Sequence, residues 1–222
     1  MTIENYYLIL ASNSPRRRQL LGLVSDTFSV QTGDVDERLL PHESPPEYVL
    51  RLAKNKAQAV SISENESSLV VAADTTVVDR GEIIGKPTDA KEAERTLRRL
   101  RGRIHQVLTG LAVFRPLDKL LVAKLITTEV SMRNYSDKEI EEYIASGDPF
   151  DKAGAYAVQN EKFHPVSDFE DCFANVMGFP LCHFMVTLKV FGISLNEEVP
   201  LKCQKSLGYS CPIFEQVLSE EK

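Results

Sequence analysis

The chain has 222 residues, 43% of them hydrophobic, which is enough for one large domain or two lobes that share a sheet. Its net charge of −6 argues against a general nucleic-acid-binding protein, which needs excess Lys and Arg to neutralise backbone phosphates. No run approaches the roughly 18 apolar residues of a membrane-spanning helix, and no basic N-terminal segment precedes a long apolar one. We therefore expect a cytoplasmic globular protein that binds neither nucleic acid nor membrane.

The cysteines and histidines do not predict a metal site. The spacing of the four cysteines matches no zinc finger or zinc ribbon, and a cytoplasmic chain keeps its thiols reduced. No two of the four histidines lie at a metal-ligand spacing. These residues are Cys172, Cys182, Cys203, Cys211, His42, His105, His164 and His183.

The most informative segment follows the first apolar stretch, residues 6–11, which predicts a buried strand. Residues 12–17 read SNSPRR, in which Ser14 is typical of a helix N-cap and Pro15 of a first helical residue. Arginines in a first turn oppose the helix dipole, so they are an odd choice for an ordinary capped helix. The segment predicts a phosphate site, because exposed N–H groups, the dipole and guanidinium forks all favour a multiply charged oxyanion.

Apolar periodicity predicts the elements that follow. Helices are predicted at 15–24, 45–60, 89–100 and 180–190, and a capping box at Ser136 and Glu139 opens a helix to about residue 146. Strands are predicted at 27–31, at 69–73, and in an antiparallel pair at 105–114 and 120–132 that could form the backbone of an extended sheet; residues 156–159 read as a short extended segment. Beyond about Asn196 no element can be assigned, and we expect a loosely attached tail.

Two carboxylates are candidates for chemistry. Asp74 follows the apolar run 69–73, and strand ends in α/β proteins commonly open into ligand clefts. A carboxylate there can hold a divalent metal or take a proton from water; alternatively, it is a turn Asp that bonds its own backbone. Glu37, in the acidic loop 33–37, could join Asp74 around Mg²⁺ or Mn²⁺, or be a solvated loop charge.

The basic residues give three different signals. Lys56 lies near the buried edge of a predicted helix, so its side chain either extends to solvent or points into a cleft. Lys86 lies between a glycine and a proline, which can aim its ammonium at a fixed phosphate. Lys152 is unremarkable by itself. Five arginines at a helix C-terminus are favoured by the dipole and predict no RNA site: Arg95, Arg98, Arg99, Arg101 and Arg103.

Five segments occur together in the order that one protein family shows. They are residues 8–17, 73–75 (ADT), 85–87 (GKP), 105–110 (HQVLTG) and 151–156 (DKAGAY), with 175–180 (NVMGFP) as a further signature. In these motifs the chain resembles the Maf (septum-formation-inhibitor) family of nucleoside triphosphate pyrophosphatases, over roughly residues 6–192.

The resemblance implies an α/β fold of two lobes around an elongated mixed sheet with a central cleft, similar to inosine triphosphate pyrophosphatase, over residues 1–195 with a tail at 196–222 of unknown role. It implies hydrolysis of a nucleoside triphosphate to the monophosphate and pyrophosphate with a divalent cation, Mg²⁺ or Mn²⁺. Carried over residue by residue, it implies Asp74 as proton acceptor, Glu37 and Asp74 at the metal, Arg16, Thr75 and Gln159 in substrate specificity, and Ser12, Ser14, Arg17, Lys56 and Lys86 in substrate binding.

Residues 151–159 resemble the branch of the family that hydrolyses dTTP and UTP. Asn160 departs from the pattern, because a glycine is common after the glutamine. Alternatives are a pyrophosphatase for modified nucleotides such as 7-methyl-GTP, 5-methyl-UTP or CTP, and a nucleotide-binding regulator of cell division. The presence of Asp74, Lys86 and Gln159 together disfavours the regulator. A homodimer is compatible with the sequence, which does not fix the oligomeric state.

Overall fold

The computed structural model describes residues 2–60 and 67–219. Its strands are β1 (Tyr7–Leu10), β2 (Ser29–Val30), β3 (Ser68–Asp79), β4 (Glu82–Ile84), β5 (Ile104–Arg115) and β6 (Leu120–Ser131). They form one mixed sheet in the order β2-β1-β3-β5-β6, with β4 also paired to β3. β1 pairs in parallel with β2 and β3, whereas the pairs of β3 with β4 and β5, and of β5 with β6, are antiparallel. The predicted α/β fold with a mixed sheet is confirmed.

The predicted helices are confirmed within a few residues at their ends. Ser14 caps the first helix, and Ser136 and Glu139 form the predicted capping box. No helix in the described residues is long and apolar enough to cross a membrane. The helices are α1 (Pro15–Leu21), α2 (Pro45–Gln58), α3 (Ala90–Leu100), α4 (Asp137–Ala145), α5 (Phe173–Val176), α6 (Leu181–Lys189), α7 (Val199–Leu207) and α8 (Phe214–Ser219).

Strand β3 corrects the prediction for Asp74. The sequence predicted a strand that ends at residue 73, but β3 continues to Asp79, so Asp74 lies in mid-strand. The reason is pairing with β5, where Asp74 lies opposite Gly110 and the β-branched residues after it continue the ladder. β1, however, ends at Leu10, opposite Val71. Asp74 therefore lies beyond the end of the neighbouring strand, although not at the end of its own.

The side chains of β3 alternate between two faces of the sheet. On one face, Leu69, Val71 and Ala73 belong to a core cluster with α1 and α6, and Val77 belongs to a second cluster with α3 and α4. Thr75 lies between these two clusters. The core is thus divided along the long strands, as expected for two lobes around an elongated sheet.

Helix α2 covers the other face of the sheet at Gly110. A Cβ atom at this position would collide with the backbone of Val49 and Leu50, so the helix lies directly on β5 because residue 110 has no side chain. Gly110 is paired with Asp74 across the sheet. This close approach brings the residues of α2 to the level of Asp74.

The C-terminal segment contains two helices that the sequence did not predict, so the expected loose tail is wrong for its described part. Val199 and Cys203 of α7 and Val217 of α8 are buried, and α8 packs on Cys182 and Val186 of α6. The helical pattern was weak because both helices are short and polar residues separate their few apolar ones. Residues 220–222 of the predicted tail lie outside the described residues.

Candidate active site

The edge of β3 that faces β1 has a notch. β5 pairs along the opposite edge of β3 from Val70 to Val78. On the notched edge, β1 pairs with residues 68–71 and β4 with residues 77–79. Within the described chain, no strand pairs with residues 72–76 on this edge. Asp74 and Thr75 therefore lie at the gap between β1 and β4, where Asp74 contacts Lys56 of α2 and Thr75 contacts Arg17 of α1.

Lys56 joins two carboxylates at the notch. Its ammonium donates a hydrogen bond of 2.6 Å to Oδ1 of Asp74 and lies 2.6 Å from Oε1 of Glu37. The Asp74 side chain is 11% exposed, whereas that of Glu37 is 58% exposed. Of the two orientations considered for Lys56, the structure has the one that points into the cleft. Two acidic oxygens therefore converge on one cation beside solvent.

Arg17 enters the notch from α1 and is held at three of its nitrogens. Nε donates to the carbonyl of Gly178 at 3.0 Å, Nη1 to Ser12 Oγ at 3.2 Å, and Nη2 to Thr75 Oγ1 at 3.2 Å. Burial lowers the pKa of Arg17, and the nearby Asp74 carboxylate opposes that shift. Because a guanidinium has five N–H donors, two remain for a bound anion.

The two serines of the SNSPRR segment order the loop that presents Arg17. The backbone N–H of Ser14 donates to Ser12 Oγ at 3.2 Å. Ser14 Oγ in turn accepts from the backbone N–H of Arg17 at 3.4 Å, which is the predicted N-cap. The described contacts of these hydroxyls are with the protein itself, so both serines shape the loop.

Arg16 is directed to a different part of the site than Arg17. It is close enough to Asp151 to contribute to a lowered pKa of that carboxyl, although the hydrogen bond from Lys152 is the main cause. Lys152 donates to Asp148 Oδ1 at 2.9 Å and to Asp151 Oδ1 at 2.6 Å. The positive charge of Arg16 thus acts on the carboxylate of Asp151.

Lys86 and Gln159 are both exposed. The loop that carries Lys86 is tied to the 151–159 segment, because the N–H of Gly154 donates to the carbonyl of Gly85 at 3.1 Å. Gln159 lies in a turn at 158–159, which corrects the extended conformation predicted for that segment. Asn160 stabilises this turn through Nδ2, which donates to Asp148 Oδ2 at 3.1 Å.

Sequence reasoning missed three residues that support the site. Thr109 Oγ1 lies 3.0 Å from Thr75 Oγ1 and donates to the carbonyl of Asn175 at 3.3 Å. Gly178 supplies the carbonyl that accepts from Arg17. These residues lie in the HQVLTG and NVMGFP segments, so their positions in motifs were visible, but their contacts join parts of the chain that only folding brings together.

Glu37 and Asp74 resemble the carboxylates of metal sites in which a bound phosphate supplies the remaining ligands. Within residues 2–60 and 67–219, no three His, Cys, Asp or Glu side chains are grouped closely enough to hold a metal by themselves. Mg²⁺ usually keeps several waters and binds one or two carboxylates together with substrate phosphates. The pair of carboxylates at Lys56 fits this second type of site.

Two arginines of the predicted basic cluster at the end of α3 form ion pairs within the protein, a structural role that differs from the dipole interaction expected from the sequence. Arg99 and Arg103 bind the two carboxylate oxygens of Asp79 at 2.7 and 2.9 Å. His105, next to this cluster, is buried and hydrogen bonds through Nε2 to the Tyr156 hydroxyl at 2.8 Å. The partners of the Asp79 carboxylate and of His105 Nε2 are thus protein groups.

The chain is similar to proteins of known name. The family described as Maf-like protein matches residues 7–191. A dTTP/UTP pyrophosphatase of Anaeromyxobacter dehalogenans is 45% identical over 195 residues, which cover 87% of this chain and 98% of that protein. A dTTP/UTP pyrophosphatase of Geobacter sp. is 43% identical over 190 residues, or 86% of this chain and 98% of that protein. The solved structure of the Staphylococcus aureus Ham1 protein matches with a TM-score of 0.40 and 15% identity, over 58% of this chain and 72% of that one.

Proposed function

The chain belongs to the Maf family, and from this premise we propose that it hydrolyses nucleoside triphosphates, with dTTP and UTP preferred, to the monophosphate and pyrophosphate. The names of the relatives support this substrate class. The observation that carries the proposal is the group of Lys56, Asp74 and Glu37 beside Arg17 at an open edge of the sheet. It combines an acid that can accept a proton with cations that can bind a polyanion.

Asp74 is the proposed proton acceptor. Water attacks the α-phosphorus, its proton moves to the Asp74 carboxylate, and pyrophosphate leaves on the opposite side of phosphorus. Lys56 holds one oxygen of this carboxylate at 2.6 Å, which fixes its orientation. The other oxygen is the one that faces the water in this proposal.

Three cations bind the triphosphate. Arg17 offers the two N–H donors that have no partner among the described residues, and Lys56 and Lys86 supply point charges. Such groups stabilise the charge that develops on the leaving pyrophosphate, because they are held in place before the reaction starts. Ser12 and Ser14 contribute by ordering the loop that carries Arg17.

Glu37 and Asp74 would hold the divalent cation, Mg²⁺ or Mn²⁺. When bound, the cation neutralises phosphate charge and lowers the pKa of a bound water. Lys56 keeps the two carboxylates together, since its ammonium contacts both. Loss of turnover in EDTA, restored by Mg²⁺ or Mn²⁺, is the expected result.

Arg16, Thr75 and Gln159 are the proposed specificity residues. Arg16 and Thr75 flank Arg17 and Asp74 in the chain, and the 151–159 segment that carries Gln159 is tied to the loop of Lys86 through the bond from Gly154 to Gly85. Asn160 fixes the turn that carries Gln159 through its bond to Asp148. A homodimer and a cytoplasmic location stay predictions from the sequence.

Pyrophosphate release from a panel of nucleotides tests the proposal. We expect Mg²⁺-dependent release from dTTP and UTP at higher kcat/KM than from CTP, 5-methyl-UTP or 7-methyl-GTP. Fastest turnover of a modified nucleotide would make the chain a pyrophosphatase for that nucleotide. Tight dTTP binding without release of pyrophosphate would instead support a nucleotide-binding regulator, and the proposed activity would be wrong.

A further inference from the structure

We propose that Thr109, Asn175 and Gly178 are positioning residues for Arg17, and that the backbone carbonyl of Asn175 is the point where they meet. This inference rests on the proposed function, in which Arg17 binds the triphosphate. None of the three residues is placed in contact with substrate. They act by fixing two of the three protein groups that hold the Arg17 guanidinium in the notch, the Thr75 hydroxyl and the Gly178 carbonyl.

Only one arrangement of the Thr75 and Thr109 hydroxyl protons satisfies all three of their hydrogen bonds. Arg17 can only donate, so Thr75 Oγ1 accepts from its Nη2. The carbonyl of Asn175 can only accept, so the Thr109 hydroxyl donates its single proton to this oxygen, at 3.3 Å. The 3.0 Å bond between the two hydroxyls must then run from Thr75 to Thr109. In this order Thr75 presents a lone pair, and not a proton, to Arg17.

The second support of Arg17 depends on the same carbonyl. The N–H of Gly178 donates to Asn175 O at 2.8 Å and so closes a turn over residues 175–178. The carbonyl of Gly178, at the end of this turn, accepts from Arg17 Nε at 3.0 Å. Two of the three acceptors of Arg17, the Thr75 hydroxyl and the Gly178 carbonyl, are therefore linked to Asn175 O, whereas the third, Ser12 Oγ, lies in the loop before α1. A shift of this carbonyl would disturb both bonds together.

Glycine is required at the turn for two reasons. Residue 178 has a φ of +98°, a backbone conformation that side chains disfavour. A Cβ atom would also lie 3.1 Å from Thr75 Oγ1, so this hydroxyl would have to move by a few tenths of an ångström, and it would touch Arg17 Nε at 3.4 Å. The absence of a side chain lets the turn approach the guanidinium.

Asn175 anchors the network to the sheet. Its Nδ2 donates to Thr128 Oγ1 at 3.0 Å and to the carbonyl of Val107 at 3.4 Å, and the whole residue is buried. Thr128 and Val107 lie opposite each other on β6 and β5. The position of Arg17 is thereby set by the rigid central strands as well as by its own short helix.

Thr109→Val tests the inference, because valine keeps the shape of threonine and removes the hydroxyl. We expect kcat/KM for dTTP to fall about tenfold, mainly through a higher KM, since Arg17 binds phosphate before and during the reaction. Thr109→Ser restores the hydroxyl and should stay within about twofold of the wild type. Thr187→Val is the matched control, because Thr187 is also buried and donates to a backbone carbonyl, that of His183 at 2.8 Å.

The affinity for dTTP in EDTA, measured by titration calorimetry, gives a readout that does not need turnover, and it should fall in Thr109→Val only. Unchanged KM and affinity in Thr109→Val would overturn the inference, and so would equal losses in Thr109→Ser or Thr187→Val. If the wild-type protein binds dTTP but releases no pyrophosphate, the proposed activity is wrong. The affinities of wild type and Thr109→Val for dTTP still decide the inference in that case. If the wild-type protein does not bind dTTP, both the proposed activity and the inference about Arg17 are wrong.

Discussion

Strand β3 carries two carboxylates that pair with basic residues in opposite ways. Asp79 has a side chain that is only 2% exposed, and Arg99 and Arg103 bind both of its oxygens. Among residues 2–60 and 67–219, Lys56 is the one side chain that binds the Asp74 carboxylate, at a single oxygen, and that lysine also contacts the exposed Glu37. In one cluster both oxygens of the carboxylate are bound by the protein, whereas the other cluster has an oxygen of Asp74 to spare among the described contacts and reaches solvent through Glu37.

The difference follows from the sheet and not from the residue types. Asp79 lies where β4 pairs with β3, and the turn between these strands completes the structure around it. Asp74 lies in the notch, where neither β1 nor β4 pairs with β3. Acidic and basic residues that neutralise one another stabilise the fold, whereas those beside a gap in the sheet remain available for a ligand.

Asp74→Asn should have the largest effect on activity. The amide cannot accept the proton of the attacking water, and general-base catalysis typically contributes about 10²–10⁴ in rate. We expect the turnover of dTTP to fall by at least about 100-fold while the melting temperature stays close to that of the wild type. Nearly normal hydrolysis of dTTP by this variant would contradict the role of Asp74.

Asp79→Asn should have the opposite result. Removing the charge weakens the bonds of Arg99 and Arg103 to this buried side chain, and the loss of hydrogen bonds to a charged group costs about 1.5–3 kcal/mol. Urea denaturation should show this loss in the free energy of unfolding. Turnover at a temperature where the variant is folded should equal that of the wild type; a large loss of turnover there would mean that the cluster at Asp79 also serves the reaction.

His105, a buried histidine near Asp79, should also make the stability of the fold depend on pH. Burial lowers the pKa of His105 to about 4, from 6.5 in the unfolded chain, although Asp79 opposes this shift. Below pH 6.5, His105 binds a proton in the unfolded state but stays neutral in the folded state. The free energy of unfolding therefore falls as the pH drops towards 4. The His105 contribution should lower the free energy of unfolding by about 2 kcal/mol between pH 7 and pH 5.

His105→Gln removes the titrating group and should reduce this decrease when unfolding is followed in urea at both pH values. Glutamine can still hydrogen bond to Tyr156, so the comparison isolates protonation better than an apolar replacement would. An equal decrease in variant and wild type would show that His105 is not the source.

Lys86→Ala should have the smallest of the four effects and should change activity alone. Lys86 is exposed, so the fold does not depend on its charge. Loss of one phosphate-binding cation should lower kcat/KM for dTTP about tenfold without a change in melting temperature. Lys91→Ala, at another exposed lysine nearby in the sequence, is the control and should leave kcat/KM unchanged.

The local features of the site could be predicted from the sequence. Ser14, Pro15 and the arginines after them predicted the helix start and an anion site, and both Ser14 as cap and Pro15 as first helical residue are confirmed. The apolar spacing in α2 predicted that Lys56 lies at the edge of the buried face, from which it reaches Asp74. Such features depend on neighbours within one or two helical turns.

The long-range features could not be predicted. Asp74 was expected at a strand end, because the polar residues 74–76 resemble a turn, but pairing with β5 keeps them in the strand. The open edge at Asp74 arises because β1 is short, a property of a different segment of the chain. Likewise, the contact of Arg17 with Gly178 joins residues far apart in sequence, which no periodicity reveals.

A crystal structure of the chain with Mg²⁺ and α,β-imido-dUTP, an analogue that resists hydrolysis, tests the central claim most directly. The account predicts that the triphosphate fills the notch of β3, with the α-phosphorus beside the Asp74 carboxylate and the remaining phosphates bound by Arg17, Lys56 and Lys86. A triphosphate bound away from this notch, with Asp74 still paired only to Lys56, would contradict it.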